Sequence, residues 1–115
     1  MIRNIGDIKW LAGLLEGEGT FGLGSDGSVA ISVGMTDADV IERAAMLMGQ
    51  GPHRPYFERG QMPRYTAKVS GWQAAGWMMT LYSLMGARRQ ARIASLLARW
   101  KAAPGNGFML RRRSR

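Results

Sequence analysis

The segment Leu11-Ala12-Gly13-Leu14-Leu15-Glu16-Gly17-Glu18-Gly19 carries the strongest signal in this sequence. We predict a helix from about residue 8 to residue 18, with Asp7 as its N-cap. Gly13 and Gly17 are four residues apart and therefore lie on one face of that helix. Each glycine costs about 1 kcal/mol relative to alanine in a helix interior. Two such costs indicate close approach of another backbone, either a second copy of this helix about a two-fold axis or a neighbouring segment of the same chain.

The same segment ends in a carboxylate at an unfavourable place. Glu18 lies at the negative end of the helix dipole, where an acid is disfavoured by about 0.3–1 kcal/mol. The last carbonyls of the helix, including that of Gly17, lack partners within the helix. A carboxylate beside free carbonyl oxygens suits a hard cation such as Mg²⁺ or Ca²⁺, and pairing two helices would bring two such carboxylates together. The alternative for Glu18 alone is an ordinary solvated glutamate.

Composition limits the class of protein. The chain has 115 residues, which suits one compact domain at 1–103 followed by a basic tail at 104–115. A net charge of +8 indicates a polyanionic partner, most often nucleic acid, although charge that only promotes solubility is the alternative. The lack of cysteine excludes zinc ribbons and disulfide scaffolds, and a single histidine, His53, argues against histidine-rich metal sites.

Neither a membrane nor a secretion signal is indicated. No apolar run approaches the length of a membrane span, and the first apolar stretch is interrupted by Lys9, Gly13 and Glu16. We therefore expect an intracellular protein with no membrane partner.

Periodicity predicts an α+β chain with the element order αββαββα(α). After the first helix we expect strands at 20–23 and 28–35, a helix ending near 48, strands at 54–58 and 64–70, and helices at 72–84 and 87–101. In the last strand the side chains alternate. One face carries Arg64, Thr66, Lys68 and Ser70, and the other carries Tyr65, Ala67 and Val69.

The nine-residue segment resembles the LAGLIDADG motif of homing endonucleases. Its first four letters match as written, and an aliphatic residue, an acid, a small residue, an acid and a glycine follow. Trp10 before the motif and Thr20-Phe21 after it agree with the family, as does the element order αββαββα. The resemblance covers about residues 8–101, although only the motif itself is specific.

The resemblance implies a homodimer, because a single motif in a short chain is typical of the homodimeric branch. Motif helices of the family pair across a two-fold axis, which would place Ala12, Gly13, Leu14 and Gly17 in the dimer interface. Glu18 would be the catalytic acid and bind the metal, helped by the Gly17 carbonyl, whereas Glu16 would be structural and accept local hydrogen bonds. The implied cofactor is Mg²⁺, with Mn²⁺ or Ca²⁺ as substitutes for binding. The implied reaction is a double-strand break in a long palindromic or near-palindromic DNA.

The resemblance also implies a DNA-binding surface and a basic catalytic residue. The family reads the major groove of double-stranded DNA with a four-stranded antiparallel saddle. The groove-facing candidates are Arg54, Tyr56, Arg64, Thr66, Lys68 and Ser70, with Glu58 beside them, although a solvated outer face is the alternative. A basic residue near the active site would be Arg88 or Arg89, which are also candidates for DNA contact; an ordinary phosphate contact or helix surface is the alternative.

One departure from the family concerns the residue that orders water near the metal. A glutamine is often found after the second strand, and none occurs at 34–37. Asp37 is available as a substitute, or serves only as an acid at a helix N-terminus. The alternative functions are a catalytically weak or inactive DNA-binding regulator, an RNA maturase with the same fold, or an unrelated basic RNA-binding protein with a chance motif. RNA is an expected partner only in the last two.

Overall fold

The computed structural model describes residues 4–24, 26–50 and 63–102. Its elements in chain order are helix α1 (Ile5–Glu18), strand β1 (Gly19–Leu23), strand β2 (Val29–Met35), helix α2 (Ala38–Leu47), strand β3 (Tyr65–Ser70), helix α3 (Gly71–Leu81), a short 3-10 turn (Tyr82–Leu84) and helix α4 (Ala87–Ala102). The α+β class is confirmed. The strand predicted at 54–58, His53 and the tail at 104–115 lie outside these ranges. The sheet therefore has three strands here, where we predicted four.

Helix α1 begins earlier than predicted. Its N-cap is Asn4, whose side-chain oxygen accepts a 2.8 Å hydrogen bond from the Asp7 amide and so satisfies one of the free N–H groups of the first turn. The assignment of Asp7 as N-cap was therefore wrong. Asp7 lies inside the first turn, where an acid favours the helix dipole, and forms a 3.3 Å ion pair with Arg43 of α2. The Arg43 guanidinium also lies 4.0 Å from the ring centroid of Trp10.

The sheet is antiparallel with the order β1-β2-β3. Phe21 pairs with Ile31, which pairs with Val69, so one face of all three strands is apolar and buried. The four helices cover this face and complete the core. Their buried side chains include Leu11, Leu15, Ile41, Leu47, Met78, Leu81, Ile93 and Leu96.

The opposite face of the sheet is small and polar. Ser32 in the central strand pairs with Thr20 on one side and Lys68 on the other, and Gly34 pairs with Thr66. Successive side chains of a strand point to opposite faces of the sheet. Since the apolar side chains occupy the buried face, the polar ones lie on the second face. No helix of the described ranges has the length and apolar character needed to cross a bilayer.

The β1–β2 hairpin is closed by local hydrogen bonds. The Asp26 carboxylate accepts hydrogen bonds from the Ser28 hydroxyl at 2.7 Å and from the Ser28 amide at 3.0 Å, and together these bonds hold the pKa of Asp26 below its ordinary value. Gly27 has a φ of +85°, and its amide donates to the Gly24 carbonyl at 3.0 Å. The turn thus requires a residue whose backbone can adopt the left-handed conformation.

We expect Gly27→Ala to lower the free energy of unfolding by about 1–2 kcal/mol, because alanine is strained in the left-handed region. Gly76 is the matched control: it lies in the exposed middle of α3, and an added Cβ would meet nothing within 4 Å. Gly76→Ala should raise stability by up to about 1 kcal/mol through helix propensity. Urea unfolding at one fixed chain concentration measures both. Equal effects of the same sign would contradict the conformational explanation.

Candidate functional site

The carboxyl end of α1 passes directly into β1. Glu18 is the last helical residue, and the Gly19 amide donates to the Leu15 carbonyl as the cap. A Cβ at Gly19 would lie 2.8 Å from that carbonyl oxygen, so the connection leaves no room for a side chain. The Glu18 side chain is exposed, in contrast to the buried Leu15 one turn earlier. The fold therefore presents one acid to solvent at a fixed helix end.

Glu16 points towards α4. Its Oε1 accepts a 2.8 Å hydrogen bond from the Gly86 amide, immediately before α4 begins. We expected local hydrogen bonds for this side chain, but its partner lies 70 residues away in the sequence. Glu16 therefore ties the motif helix to the last helix, which is a structural role of longer range than predicted.

Arg89 lies against the end of α1. Its Nη1 donates to the Gly19 carbonyl at 2.7 Å and its Nη2 donates to the Glu16 carbonyl at 3.1 Å. Its guanidinium carbon is 5.6 Å from the centroid of the Phe21 ring, and its Nε is buried with no hydrogen-bond partner among the described atoms. Two of its donor groups are thus used within the protein.

A second arginine of α4, Arg92, was missed in the sequence. Its Nε donates to the Phe21 carbonyl at 3.0 Å. Carbonyls two residues apart on a strand point the same way, so Gly19 and Phe21 both turn their carbonyls to the outer edge of β1. Arg89 and Arg92 therefore cover a strand edge that would otherwise be open. Their spacing of three residues along one helix was the only sequence signal for this pairing.

A pocket of about 410 Å³ opens at this edge and is lined by Gly19, Thr20, Phe21, Arg88, Arg89 and Arg92. Three of these residues are cationic, and no acid lines the pocket. Arg88 is exposed, unlike the half-buried Arg89 next to it. Arg92 is exposed as well, but its Nε is used by the Phe21 carbonyl, whereas Arg88 makes no hydrogen bond within the described ranges. The pocket is therefore a basic surface immediately after Glu18, with Arg88 wholly available to a ligand.

The oxygen atoms at the end of α1 suit a hard cation but do not complete its coordination. The Leu15 carbonyl is used by the Gly19 amide and the Glu16 carbonyl by Arg89, whereas no hydrogen bond to the Gly17 carbonyl is found within the described ranges. A carboxylate and a carbonyl are ligands that Mg²⁺ accepts, but Mg²⁺ needs an octahedral set of oxygens. The part of the chain that the structure describes holds no group of three or more acidic, histidine or cysteine ligands. A second chain, water or phosphate oxygens would have to supply the rest.

The glycine face of α1 is exposed. Gly13 and Gly17 lie at the surface, and a Cβ added to either would meet nothing within 4 Å. No described segment of this chain therefore makes the close approach that the two glycines indicate. Leu14 is half-buried, and Ala12 is only 3% exposed because it packs in the core of its own chain. The surface open to a second helix is therefore formed by the two glycines and part of Leu14.

The polar face of the sheet carries the remaining described candidates for DNA contact. Lys68 and Ser70 are exposed, Arg64 and Thr66 are half-buried, and the Arg64 side chain lies close to Gly34. Asp37 takes the N-cap position of α2, but its side chain makes no capping hydrogen bond. The candidates Arg54, Tyr56 and Glu58 fall outside the described residues.

Comparisons with known proteins show which fold this is. No family model and no curated protein sequence matches the chain. Among solved structures, the chain is similar to the homing endonuclease I-TnaI, with 12% identity, a TM-score of 0.57 and coverage of 85% of this chain and 71% of that one.

Two further neighbours were solved with DNA. The group I intron-encoded homing endonuclease I-CeuI matches with 15% identity, a TM-score of 0.58 and coverage of 88% of this chain and 58% of that one. The LAGLIDADG homing endonuclease I-LtrWI, bound to its target DNA, matches with 17% identity, a TM-score of 0.57 and coverage of 93% and 43%. The chain thus has the fold of LAGLIDADG homing endonucleases and spans between 43% and 71% of these neighbours' lengths.

Proposed function

We propose that this chain is a member of the LAGLIDADG family that acts as a homodimeric, Mg²⁺-dependent DNA endonuclease. It makes a double-strand break in a long palindromic or near-palindromic target. The observation that carries the proposal is the helix end itself: an exposed carboxylate follows an exposed two-glycine face, on a fold shared with homing endonucleases. The net charge of +8 favours a polyanionic substrate.

Two features support the dimer: the exposed glycine face of α1 and the incomplete set of oxygen ligands at its end. One chain offers one exposed carboxylate and one unused carbonyl at this position, which is fewer oxygens than the ion requires. Pairing two α1 helices through Gly13 and Gly17 places a Glu18 from each chain near the two-fold axis. Each chain then faces one half of the target, so the target has approximate two-fold symmetry. The divalent ion would supply stabilisation of charge on the phosphate and a more acidic water.

The residues of this chain divide the remaining work. Glu18 and the Gly17 carbonyl hold the ion, and the polar face with Lys68 and Thr66 lies along the major groove, which admits a pair of strands. Arg88 binds a phosphate oxygen next to the break, because it is exposed, lines the basic pocket and makes no hydrogen bond within the described ranges. A guanidinium at that place offsets negative charge as the phosphodiester bond breaks.

The direct test incubates purified protein with a library of randomised palindromic duplexes in Mg²⁺, followed by sequencing of broken ends. A recurrent break with a constant stagger is expected, and removal of Mg²⁺ by EDTA should stop it. The second candidate is a DNA-binding protein or RNA maturase that does not cut. Its support is the absence of the expected glutamine at 34–37. Stable duplex binding without any break across the library would favour that function.

We expect Arg88→Ala to slow cleavage by about 10²-fold, because it removes one group that stabilises charge in the transition state. Its exposed side chain makes no hydrogen bond within the described part of the chain, so thermal stability should stay within about 0.5 kcal/mol of the wild type. Single-turnover cleavage of the selected duplex measures the rate. The matched control is Arg99→Ala, an exposed arginine near the other end of α4. If Arg88→Ala and Arg99→Ala cleaved the duplex at equal rates, Arg88 would have no role at the site of cleavage.

A further inference from the structure

We propose that Arg89 is a positioning residue that fixes the carboxyl end of α1 and thereby sets the place of the Gly17 carbonyl and the Glu18 carboxylate. The inference rests on the proposed function and deepens it, because it assigns one of the two late-helix arginines to support of the metal-binding residues. Arg89 has no need to touch DNA or the ion in this role.

The two hydrogen bonds of Arg89 bracket the residues that would bind the ion. One goes to the carbonyl of Glu16, directly before Gly17, and the other to the carbonyl of Gly19, directly after Glu18. Holding the peptide groups on both sides restricts how the two intervening residues can rotate. The helix end, which would otherwise fray, is therefore presented in one arrangement.

A second reason for assigning this role to Arg89 is electrostatic. The carbonyl end of a helix is negative, and α1 carries two acids near it and no basic residue in its last turn. Arg89 brings the missing cation from α4, half-buried against the Phe21 ring. A planar guanidinium donates to two carbonyls at once, which a lysine ammonium on a flexible chain does less well.

Glu16 is held twice by the start of α4. Its carboxylate accepts from the Gly86 amide, and its main-chain carbonyl accepts from Arg89 of α4. Gly86 sits close to the acid, since an added Cβ would lie 3.3 Å from Glu16 Oε2. These contacts join the end of α1 to the start of α4, so a shift of α4 would also move the peptide groups next to Glu18.

Arg92 provides a matched control within the same helix. It donates to a carbonyl on the same edge of β1, but at Phe21, which lies further along the strand from Glu18. Loss of Arg92 therefore removes a similar tie between α4 and β1 without releasing the peptide groups on either side of the ion-binding residues. If Arg89 only tied α4 to β1, its loss would alter stability but would leave the Mg²⁺ dependence of cleavage as little changed as the loss of Arg92 does.

The test compares Arg89→Lys, Arg89→Ala and Arg92→Ala in the full chain. The readouts are the Mg²⁺ concentration at half-maximal single-turnover cleavage, duplex binding in Ca²⁺, and amide hydrogen exchange. Arg89→Ala should raise the half-maximal Mg²⁺ concentration at least about tenfold, the range for residues that support metal ligands. Arg89→Lys should fall between it and the wild type. Arg92→Ala should raise it much less than Arg89→Ala does, because the acceptor of Arg92 is the Phe21 carbonyl, which lies beyond the ion-binding residues.

Hydrogen exchange gives a readout that needs no cleavage. Exchange at the Gly19 amide, which bonds to Leu15, should accelerate in Arg89→Ala and much less in Arg92→Ala. Equal Mg²⁺ dependence in Arg89→Ala and Arg92→Ala would overturn the positioning role. If Arg89→Ala does not fold, then a folded Arg89→Lys with wild-type Mg²⁺ dependence and wild-type exchange at Gly19 overturns it equally. A wild-type protein that cuts no duplex and binds no divalent ion contradicts the proposed function instead, and the exchange comparison alone then decides the role of Arg89.

Discussion

Replacement of Glu18 by glutamine should abolish DNA cleavage and leave duplex binding intact. The substitution keeps the size of the side chain but removes the one exposed charge at the end of α1. A neutral amide binds a divalent ion far more weakly than a carboxylate does, so we expect the cleavage rate to fall by at least about 10³-fold. The side chain makes no hydrogen bond within the described ranges, so the fold should not change. Single-turnover cleavage in Mg²⁺ and gel-shift titration in Ca²⁺ measure the two effects separately.

The control for charge is Glu42→Gln. Glu42 is an exposed acid on α2, away from the end of α1, and its loss changes the net charge by the same amount. This variant should cut at a rate close to that of the wild type. If Glu18→Gln cut as fast as Glu42→Gln, the carboxylate at the helix end would have no catalytic role, and the endonuclease proposal would lose the residue on which it depends.

The second large effect should come from Gly13→Leu. In the separate chain nothing lies within 4 Å of an added Cβ at this position, and leucine is a better helix former than glycine, so the monomer should fold. In the proposed dimer the same side chain would enter a helix–helix contact from both chains. Overpacking costs about 1–3 kcal/mol at each place, and the two-fold axis doubles it. A total of about 2–6 kcal/mol corresponds to a rise in the dimer Kd of roughly thirtyfold or more.

Sedimentation equilibrium over a range of chain concentrations measures this Kd, and the loss of double-strand breaks should follow the loss of dimer. Gly76→Leu is the control, since Gly76 is also an exposed helical glycine with open space around it, but on α3. It should leave the dimer Kd unchanged. An unaltered Kd in Gly13→Leu would mean that two chains associate through some other surface, or not at all.

The sequence alone does not distinguish the roles of two adjacent residues that have similar side chains. Arg88 and Arg89 could not be told apart from the sequence, because both are basic and both enter the last helix. One position along a helix is a rotation of about 100°, so in the folded chain Arg88 faces solvent while Arg89 meets the edge of β1. Ala12 and Gly13 differ in the same way: one is buried in its own core and the other is exposed.

Local patterns were sufficient for the parts of the molecule that depend on short-range forces. The two-glycine helix, the alternating strands β2 and β3 and the final amphipathic helix follow from periodicity within a few residues, and the structure has them close to the predicted places. The contacts from Glu16 to Gly86 and from Arg89 to Gly19 join residues about seventy positions apart. Such contacts form only when separate elements pack on the common core, and no spacing within the sequence encodes them. For this reason the place of Glu18 at the end of the first helix could be predicted, whereas the contacts of Arg89 with the Glu16 and Gly19 carbonyls became visible only in the folded chain.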